Sequence, residues 1–183
     1  AKDLMGIDQI ADCIRTGIAS LKIEGRMKSN LYVANTVSAY RQAIDYCWTR
    51  IQANLPIEPD RLAPLKDQCA MVSNRSFSSG GLQHRPGGES INTAFSHYHK
   101  SIQYVGMVRM IDQQGRWVCD VKSGLKPQDQ LQVLQPGKAL QPIAAWQCYD
   151  GIGKQTDQAN PNTVVRLQTD ITTRPQALLV KAV

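Results

Sequence analysis

Residues 20–45, SLKIEGRMKSNLYVANTVSAYRQAID, join a short apolar run, a cluster of charges and the start of a long amphipathic helix. The run IASLKI at 18–23 has the length of a buried strand. After it, apolar residues recur every three or four positions, which predicts a helix over residues 30–51 with Ser29 or Asn30 as its N-cap. The apolar stripe expected along this helix consists of Val33, Val37, Tyr40, Ile44, Cys47, Trp48 and Ile51.

The charges between the strand and the helix are the first candidates for function. Alternation along a strand places Lys22 and Glu24 on one face, and side chains at the carboxyl end of a parallel strand reach the crevice where α/β active sites form. Glu24, with Lys22 beside it, is then a candidate general base. Arg26 and Lys28 are candidates to hold a phosphate at the N-terminus of the helix. In the alternative interpretation, Glu24 pairs with a neighbouring cation and stabilises the turn at Gly25.

The residues before this stretch also have a helical pattern. Apolar spacing predicts a helix over residues 3–16, with Asp3 as its N-cap and Gly17 just past its end. Helix, strand and helix amount to one and a half βα units of a parallel sheet, which needs several strands covered on both faces. We therefore interpret residues 1–55 as the C-terminal end of an α/β domain whose first part lies outside this sequence.

Residues 56–99 are predicted to be an irregular linker with one short helix near residues 64–71. Within it, the segment SNRSFSSGG at 73–81 places Asn74, Arg75 and Phe77 among small residues whose backbone N–H groups can approach a phosphate. This segment is either a recognition loop or a flexible connection.

From residue 100 onward, six short β-prone segments alternate with turn sequences, which predicts a small closed antiparallel β-barrel over residues 100–183. The predicted fold class is therefore α+β. Basic and aromatic side chains on such a barrel are typical of proteins that bind single-stranded nucleic acid, although a strand Trp more often fills the barrel interior. The candidates are Tyr104, Arg109, Arg116, Trp117, Lys122 and Lys126.

Charge, cysteine spacing and known motifs indicate which partners and sites the sequence favours. The net charge of +6 favours polyanionic partners, and residues 100–183 carry ten basic and six acidic side chains. The five cysteines are too far apart for a local metal-ligand pair, and their odd number, without a signal peptide, favours a reducing cytoplasm. No apolar run approaches the roughly 20 residues needed to span a bilayer, so no membrane partner is expected. His97 and His99 lack a third ligand nearby, which favours a solvated pair over a metal site. No recognised protease or P-loop pattern is present.

Four blocks in order resemble one known family. SLKIEGRMKS at 20–29 with AYRQAID at 39–45 closely resembles a block of peptidase family U32, the collagenase-like proteases. Residues 2–4 resemble the family's segment before that block, and NRSFSSG at 74–80 resembles the family's downstream Asn-Arg element. YVG at 104–106 resembles the opening of the family's C-terminal barrel. This sequence departs from the family at Ser76, where Gly is usual, and at Gln128, where the barrel turn usually has Gly.

The resemblance implies the C-terminal part of a longer protein, in which a TIM-like α/β barrel with an iron–sulfur cluster precedes a C-terminal barrel. Residues 1–55 would then be the end of that TIM-like domain, and the cluster would lie in the missing N-terminal part, since its cysteines are not in this chain. Members of the branch that looks most similar hydroxylate the wobble uridine of tRNA at C5.

The expected function is therefore tRNA modification, with the barrel helping to bind RNA or substrate. The alternatives are a collagenase-like peptidase and a non-catalytic lid or interaction module. The expected partners are tRNA, the missing N-terminal domain and a second copy bound through the 30–51 helix, and the chain alone is expected to be inactive. The predicted catalytic residues are Glu24 and Lys22, and the predicted binding residues are Arg26, Lys28, Asn74, Arg75 and Phe77.

Overall fold

The computed structural model of the protein describes residues 1–26, 28–91 and 99–183. The chain divides into two compact units, Ala1–Ser101 and Ile102–Val183. Among the described residues, no helix is both long enough and apolar enough to cross a membrane.

The first unit consists of three α-helices and one pair of very short strands. The strands pair in parallel through Asp3 with Phe77 and Leu4 with Ser78. Short 3-10 turns lie at Ile7–Gln9 and Gly88–Ser90. In chain order the elements are β1 (Asp3–Leu4), α1 (Ile10–Arg15), α2 (Asn30–Gln52), α3 (Pro59–Ala70) and β2 (Phe77–Ser78).

Helix α2 confirms the predicted long helix and part of its predicted stripe, because Cys47 is buried and Tyr40, Ile44 and Ile51 pack partly buried against the core. The Ser29 side chain caps it by accepting a hydrogen bond from the Tyr32 N–H at 3.3 Å. The face that packs in the core between α1 and α3 consists of small and polar residues, which allow close approach of the helices. Three members of the predicted stripe instead lie about half exposed. The buried residues are Leu31, Asn35, Thr36, Ser38, Ala39, Ala43 and Cys47, and the exposed ones are Val33, Val37 and Trp48.

The predicted strand at 18–23 is wrong. The segment belongs to no strand, and Ile18, Leu21 and Ile23 are 52%, 41% and 38% exposed. Within the described residues, the backbone of 19–24 makes no hydrogen bond to other backbone groups. A strand is held by the strand beside it, and none of the described residues provides that neighbour.

Two further boundaries differ from the prediction. Asp3 is not a helix N-cap, because it lies in β1 and the helical structure begins only at Ile7. Helix α3 begins at Pro59, well before the predicted start near Pro64. Pro59 suits the first turn because its missing N–H has no partner there, and Pro64 then lies inside the helix.

The second unit is a curled antiparallel sheet of eight strands. The predicted closed barrel is wrong, because the strand order β6-β5-β10-β3-β4-β9-β7-β8 ends on two different edge strands. Both edge strands have only two residues, and Pro142 in β6 lacks the N–H that would continue the ladder. The strands are β3 (Ile102–Ile111), β4 (Trp117–Val121), β5 (Leu131–Leu134), β6 (Gln141–Pro142), β7 (Trp146–Tyr149), β8 (Gln155–Thr156), β9 (Thr163–Thr169) and β10 (Leu178–Ala182).

The concave side of this sheet holds the core of the second unit. Trp117 is 2% exposed and packs among Val, Leu and Cys side chains, which confirms the interior position expected as the more frequent one for a strand Trp and leaves it no surface for nucleic acid. Strands β3 and β4 meet closely at Gly106, which pairs with Val121. A side chain at this position would collide with the backbone carbonyl of Asp120.

Candidate functional site: a basic cleft in the first unit

A cleft of about 750 Å³ lies in the first unit, between β1, the 20–28 segment, α2 and β2. It is the place where residues that are distant in sequence come together. Six of the seven predicted site residues line it, namely Lys22, Glu24, Arg26, Lys28, Arg75 and Phe77.

Asp3 is the charged centre of the cleft and was missed as a site residue. One carboxylate oxygen accepts hydrogen bonds from Arg75 Nε and Nη2 at 3.0 and 2.8 Å. The other accepts from Lys28 Nζ at 3.2 Å and from the Arg75 backbone N–H at 3.3 Å. Asp3 therefore joins β1, the start of α2 and the loop before β2 in one charged cluster, the Asp3–Lys28–Arg75 cluster.

This cluster keeps Asp3 ionised. Burial alone would raise the pKa of Asp3, but hydrogen bonds from Arg75 and Lys28, with the charge of Lys28, lower it below its usual value. The Asp3 side chain is 12% exposed and that of Arg75 45%. Arg75 therefore has its guanidinium position fixed by Asp3 while much of its surface remains accessible from the cleft.

Lys28 links β1, α2 and the loop before β2 through its side-chain contacts. Besides its contact with Asp3, its ammonium donates to the Ser73 carbonyl at 2.7 Å and lies 5.1 Å from the centre of the Tyr32 ring. Gly25 lies against the same ring, because a Cβ built on it would be 2.8 Å from Tyr32 Cε1. These contacts hold Gly25 and Lys28 against Tyr32 of α2.

The two predicted catalytic residues lie at the rim of the cleft. Lys22 Nζ and Glu24 Oε1 are 2.9 Å apart, with side chains 83% and 65% exposed. This geometry is the ion pair that the alternative interpretation of the sequence described. Arg26 is also exposed, and neither it nor Lys2 has a side-chain partner recorded among residues 1–26, 28–91 and 99–183.

Asn74 does not line the cleft but shapes the loop beside it. It is 4% exposed, its amide donates to the carbonyls of Ala70 and Val72 at 2.8 Å, and its oxygen accepts from the Ser76 N–H at 2.9 Å. Ser76 has a φ of +66°, in the left-handed region that favours glycine. Asn74 thus turns the chain so that Arg75 points to Asp3.

The inner wall of the cleft is apolar and aromatic, with a few polar groups. The Tyr40 hydroxyl accepts a hydrogen bond from the Gly6 N–H at 2.8 Å, and burial raises the pKa of Tyr40. Burial, together with the charge of Asp3, also raises the pKa of Tyr32. Gln9 lines the wall at 8% exposed, and its Oε1 has no hydrogen-bond partner among the described residues.

The cysteines and histidines of the described residues do not form a ligand set. No group of three His, Cys, Asp or Glu side chains there is placed to hold a metal, so the residues present do not fit an iron–sulfur cluster. Burial raises the pKa of the Cys69 thiol to about 12 and of the Cys148 thiol to about 11, which disfavours the thiolate that a metal binds. His99 is exposed, and His97 lies outside the described residues. The cluster expected in a preceding domain stays a prediction.

The second unit presents charged and aromatic groups on strands β3, β4, β7 and β9. Arg109 and Lys122 both approach the Asp120 carboxylate, at 2.6 and 3.5 Å. The Arg116 guanidinium lies 3.9 Å from the centre of the Tyr149 ring. Of the five remaining barrel candidates, Tyr104 and Arg109 lie on β3, Arg116 and Lys122 directly precede and follow β4, and Lys126 is exposed in a loop.

Comparison with known families accounts for both units. Residues 1–92 match the model of peptidase family U32, and residues 100–180 match that of the peptidase family U32 C-terminal domain. The chain belongs to peptidase family U32. The resemblance identified from the sequence is thereby confirmed.

Curated relatives of this U32 chain are tRNA hydroxylation proteins. It is 33% identical to tRNA hydroxylation protein P1 of Bacillus subtilis (strain 168) over 185 residues, covering 98% of this chain and 42% of that protein. It is 28% identical to tRNA hydroxylation protein P of Haemophilus influenzae over 138 residues, covering 74% of this chain and 28% of that protein. The U32 chain thus spans less than half the length of these relatives.

A solved structure is similar to part of the U32 chain. It is the C-terminal domain of a Geobacillus thermoleovorans protein assigned to the U32 peptidases, with a TM-score of 0.37 and 20% identity. The match covers 43% of this chain and 91% of that domain.

Proposed function

We propose that this U32 chain is the C-terminal part of a tRNA-modifying protein that hydroxylates the wobble uridine at C5. The observation that carries the proposal is the match to tRNA hydroxylation protein P1 along 98% of the chain. The cleft is the proposed site for RNA or substrate. The catalytic chemistry and any iron–sulfur cluster are proposed to reside in the rest of the protein.

The roles of the cleft residues follow from their contacts. Asp3 fixes the position of Arg75, whose side chain is 45% exposed and carries positive charge into the cleft, where it suits a phosphate. Lys2 and Arg26, which also line the cleft, add positive charge that attracts the RNA backbone. The basic second unit is proposed to bind RNA outside the cleft.

The modification itself tests this proposal. The full protein that contains this chain is expressed in bacteria lacking their own tRNA hydroxylation proteins, and wobble 5-hydroxyuridine is quantified by mass spectrometry of the tRNA. We expect the modification to appear with the unchanged protein and to fall at least tenfold with Arg75→Ala. Arg61→Ala, an exposed arginine of α3 away from the cleft, is the matched control. Absence of 5-hydroxyuridine with a folded, expressed protein would refute the proposal.

RNA binding is measured separately. Gel-shift titration of the full protein with tRNA is expected to show affinity that falls steeply as salt rises, since contacts to phosphates release counterions. Binding that does not depend on salt contradicts the proposed RNA role. If deletion of residues 100–183 abolishes modification but leaves binding intact, the second unit is a lid or interaction module instead.

Peptide hydrolysis is the second candidate, because the matching family is named for peptidases and Glu24 offers a carboxylate at the cleft rim. Hydrolysis of gelatin by the full protein that is lost in Glu24→Ala would favour it. We give it second place because Glu24 is 65% exposed and paired with Lys22, whereas a general base benefits from burial.

A further inference from the structure

The inner wall of the cleft holds polar side chains that the charged cluster does not use, among them those of Gln9 and Tyr40. The Gly6 backbone bonds to both residues: its carbonyl accepts the main-chain N–H of Gln9 at 3.1 Å, and its own N–H donates to the Tyr40 hydroxyl at 2.8 Å. Gln9 Oε1 and the Tyr40 hydroxyl proton have no hydrogen-bond partner among the described residues. Gln9 therefore offers the wall a buried acceptor, and Tyr40 offers it a donor.

An unpartnered polar group at this depth is costly. Gln9 is 8% exposed and its amide oxygen accepts no hydrogen bond from the described residues, and leaving such a buried acceptor unpaired costs about 1–3 kcal/mol. Such a group calls for a physical explanation, and in the lining of a cleft a ligand that supplies the missing hydrogen bond is one. The ligand should therefore carry an N–H that fits beside an acceptor.

The remaining walls define the shape of that ligand. The cleft volume of about 750 Å³ is in the range of small-molecule sites, and Ile10, Tyr32, Phe77 and Leu82 line it together with Tyr40. Such apolar and aromatic surfaces suit the faces of a planar ring.

The charges of the lining define the rest of the ligand. The side chains of Lys2 and Arg26 line the same cleft and have no partner recorded among the described residues. A ligand that combines a planar ring with an anion therefore matches the cleft better than a neutral ring or a free anion.

We infer that Gln9 and Tyr40 bind the edge of a uracil ring in a nucleotide that enters the cleft from a single-stranded loop. The uracil N3–H donates to Gln9 Oε1, and a flanking carbonyl accepts from the Tyr40 hydroxyl. The phosphate of the nucleotide lies toward Lys2 and Arg26. This inference rests on the proposed function and adds the residues that select the base. Gln9 and Tyr40 are thus specificity-determining residues of the cleft.

The test is a titration of the full chain with uridine 5′-monophosphate, followed by NMR. We expect the side-chain amide signals of Gln9 to shift in the unchanged chain. Gln9→Leu and Tyr40→Phe should each weaken binding about tenfold, while ribose 5-phosphate, which lacks the ring, binds weakly and equally to all three chains. Gln52→Leu, at the exposed end of α2, is the control variant. Gln68→Leu would not serve, because Gln68 bonds to Asn35 in the core.

Two outcomes overturn the inference: Gln9→Leu binds the nucleotide as well as the unchanged chain does, or ribose 5-phosphate binds as tightly as uridine 5′-monophosphate. If Gln9→Leu does not fold, the Gln9 amide shift in the unchanged chain and the Tyr40→Phe titration decide the question. The titration requires no catalysis. If the chain binds the nucleotide but the full protein does not hydroxylate tRNA, the proposed function is refuted and this inference stands. If the full protein hydroxylates tRNA but Gln9→Leu does not weaken nucleotide binding, this inference is refuted and the proposed function stands.

Discussion

Asp3 organises the cleft because it is the acceptor for two cations that lie 25 and 72 residues away in the sequence. A carboxylate held by charged donors contributes more to stability than an exposed ion pair does, because the donors lose their partner when it is removed. The exposed Lys22–Glu24 pair, by comparison, is expected to contribute little.

Asp3→Asn is expected to lower the free energy of unfolding of the first unit by about 1–3 kcal/mol at pH 7. Because the folded pKa of Asp3 is lowered, its contribution is present above the unfolded value and is lost as pH falls through the folded value. The difference between the two chains should therefore shrink toward pH 3, as measured by urea unfolding at both pH values. Asp12→Asn, which removes an exposed pair with Arg15, serves as control and should change little.

Ser76→Gly is expected to raise the free energy of unfolding by up to about 1 kcal/mol, because it relieves the left-handed backbone conformation of a residue with a Cβ. Ser76→Ala keeps the Cβ and should give no gain. Thermal unfolding of both variants decides this, and equal melting temperatures would show that the φ of +66° carries no strain. The family's usual glycine at this position has the same explanation.

At the scale of elements, α2 has two faces with opposite properties. Its small residues face α1 and α3, whereas Val33, Val37 and Trp48 are 49%, 46% and 54% exposed. These side chains, with Ile18 and Leu21, form an exposed apolar surface on the first unit. Such a surface favours association.

We predict that the chain alone self-associates through this surface. Trp48→Lys should shift sedimentation equilibrium toward monomer, because it places a charge in the apolar contact. Thr49→Lys adds the same charge one position further along α2, off the apolar stripe, and should leave the equilibrium unchanged. A strictly monomeric unchanged chain at high concentration contradicts the prediction.

In the second unit, β3 and β4 approach each other closely at Gly106. Gly106→Ala is expected to lower the free energy of unfolding by about 3 kcal/mol, since the new Cβ meets the Asp120 carbonyl and the β3–β4 ladder must shift. Gly151→Ala, whose Cβ would make only ordinary contact at 3.9 Å, is the control. Chemical denaturation of both variants measures the difference.

At the scale of the whole molecule, local features were predictable and distant contacts were not. Ser29 and the spacing after it are local, so α2 was predicted almost to its ends. The prediction of a strand at 18–23 was wrong, because strand formation depends on a neighbouring strand that sequence spacing does not reveal. The prediction of a closed barrel was wrong for a similar reason, because closure depends on whether the edge strands β6 and β8 pair with each other.

The candidate site was predicted in part for the same reason. The charges of 22–28 and Arg75 were identified from motifs, and the structure places them in one cleft. Asp3 was missed as their partner because its contact with Arg75 spans 72 residues, although the resemblance of residues 2–4 to the family pointed to that segment. No signal in the sequence marked Gln9 and Tyr40 as lining residues of this cleft, because they come together only in the fold, where the Gly6 backbone bonds to the main chain of Gln9 and to the Tyr40 hydroxyl.

The unpaired backbone of residues 19–24 has a consequence for amide hydrogen exchange. In the chain alone these amides have no backbone acceptor among the described residues, so deuterium should replace their hydrogens within seconds, while the buried centre of α2 resists. A strand supplied by any partner would slow the same amides by orders of magnitude. The exchange rate of these amides can therefore show, without a label, when a partner strand has bound to this segment of the first unit.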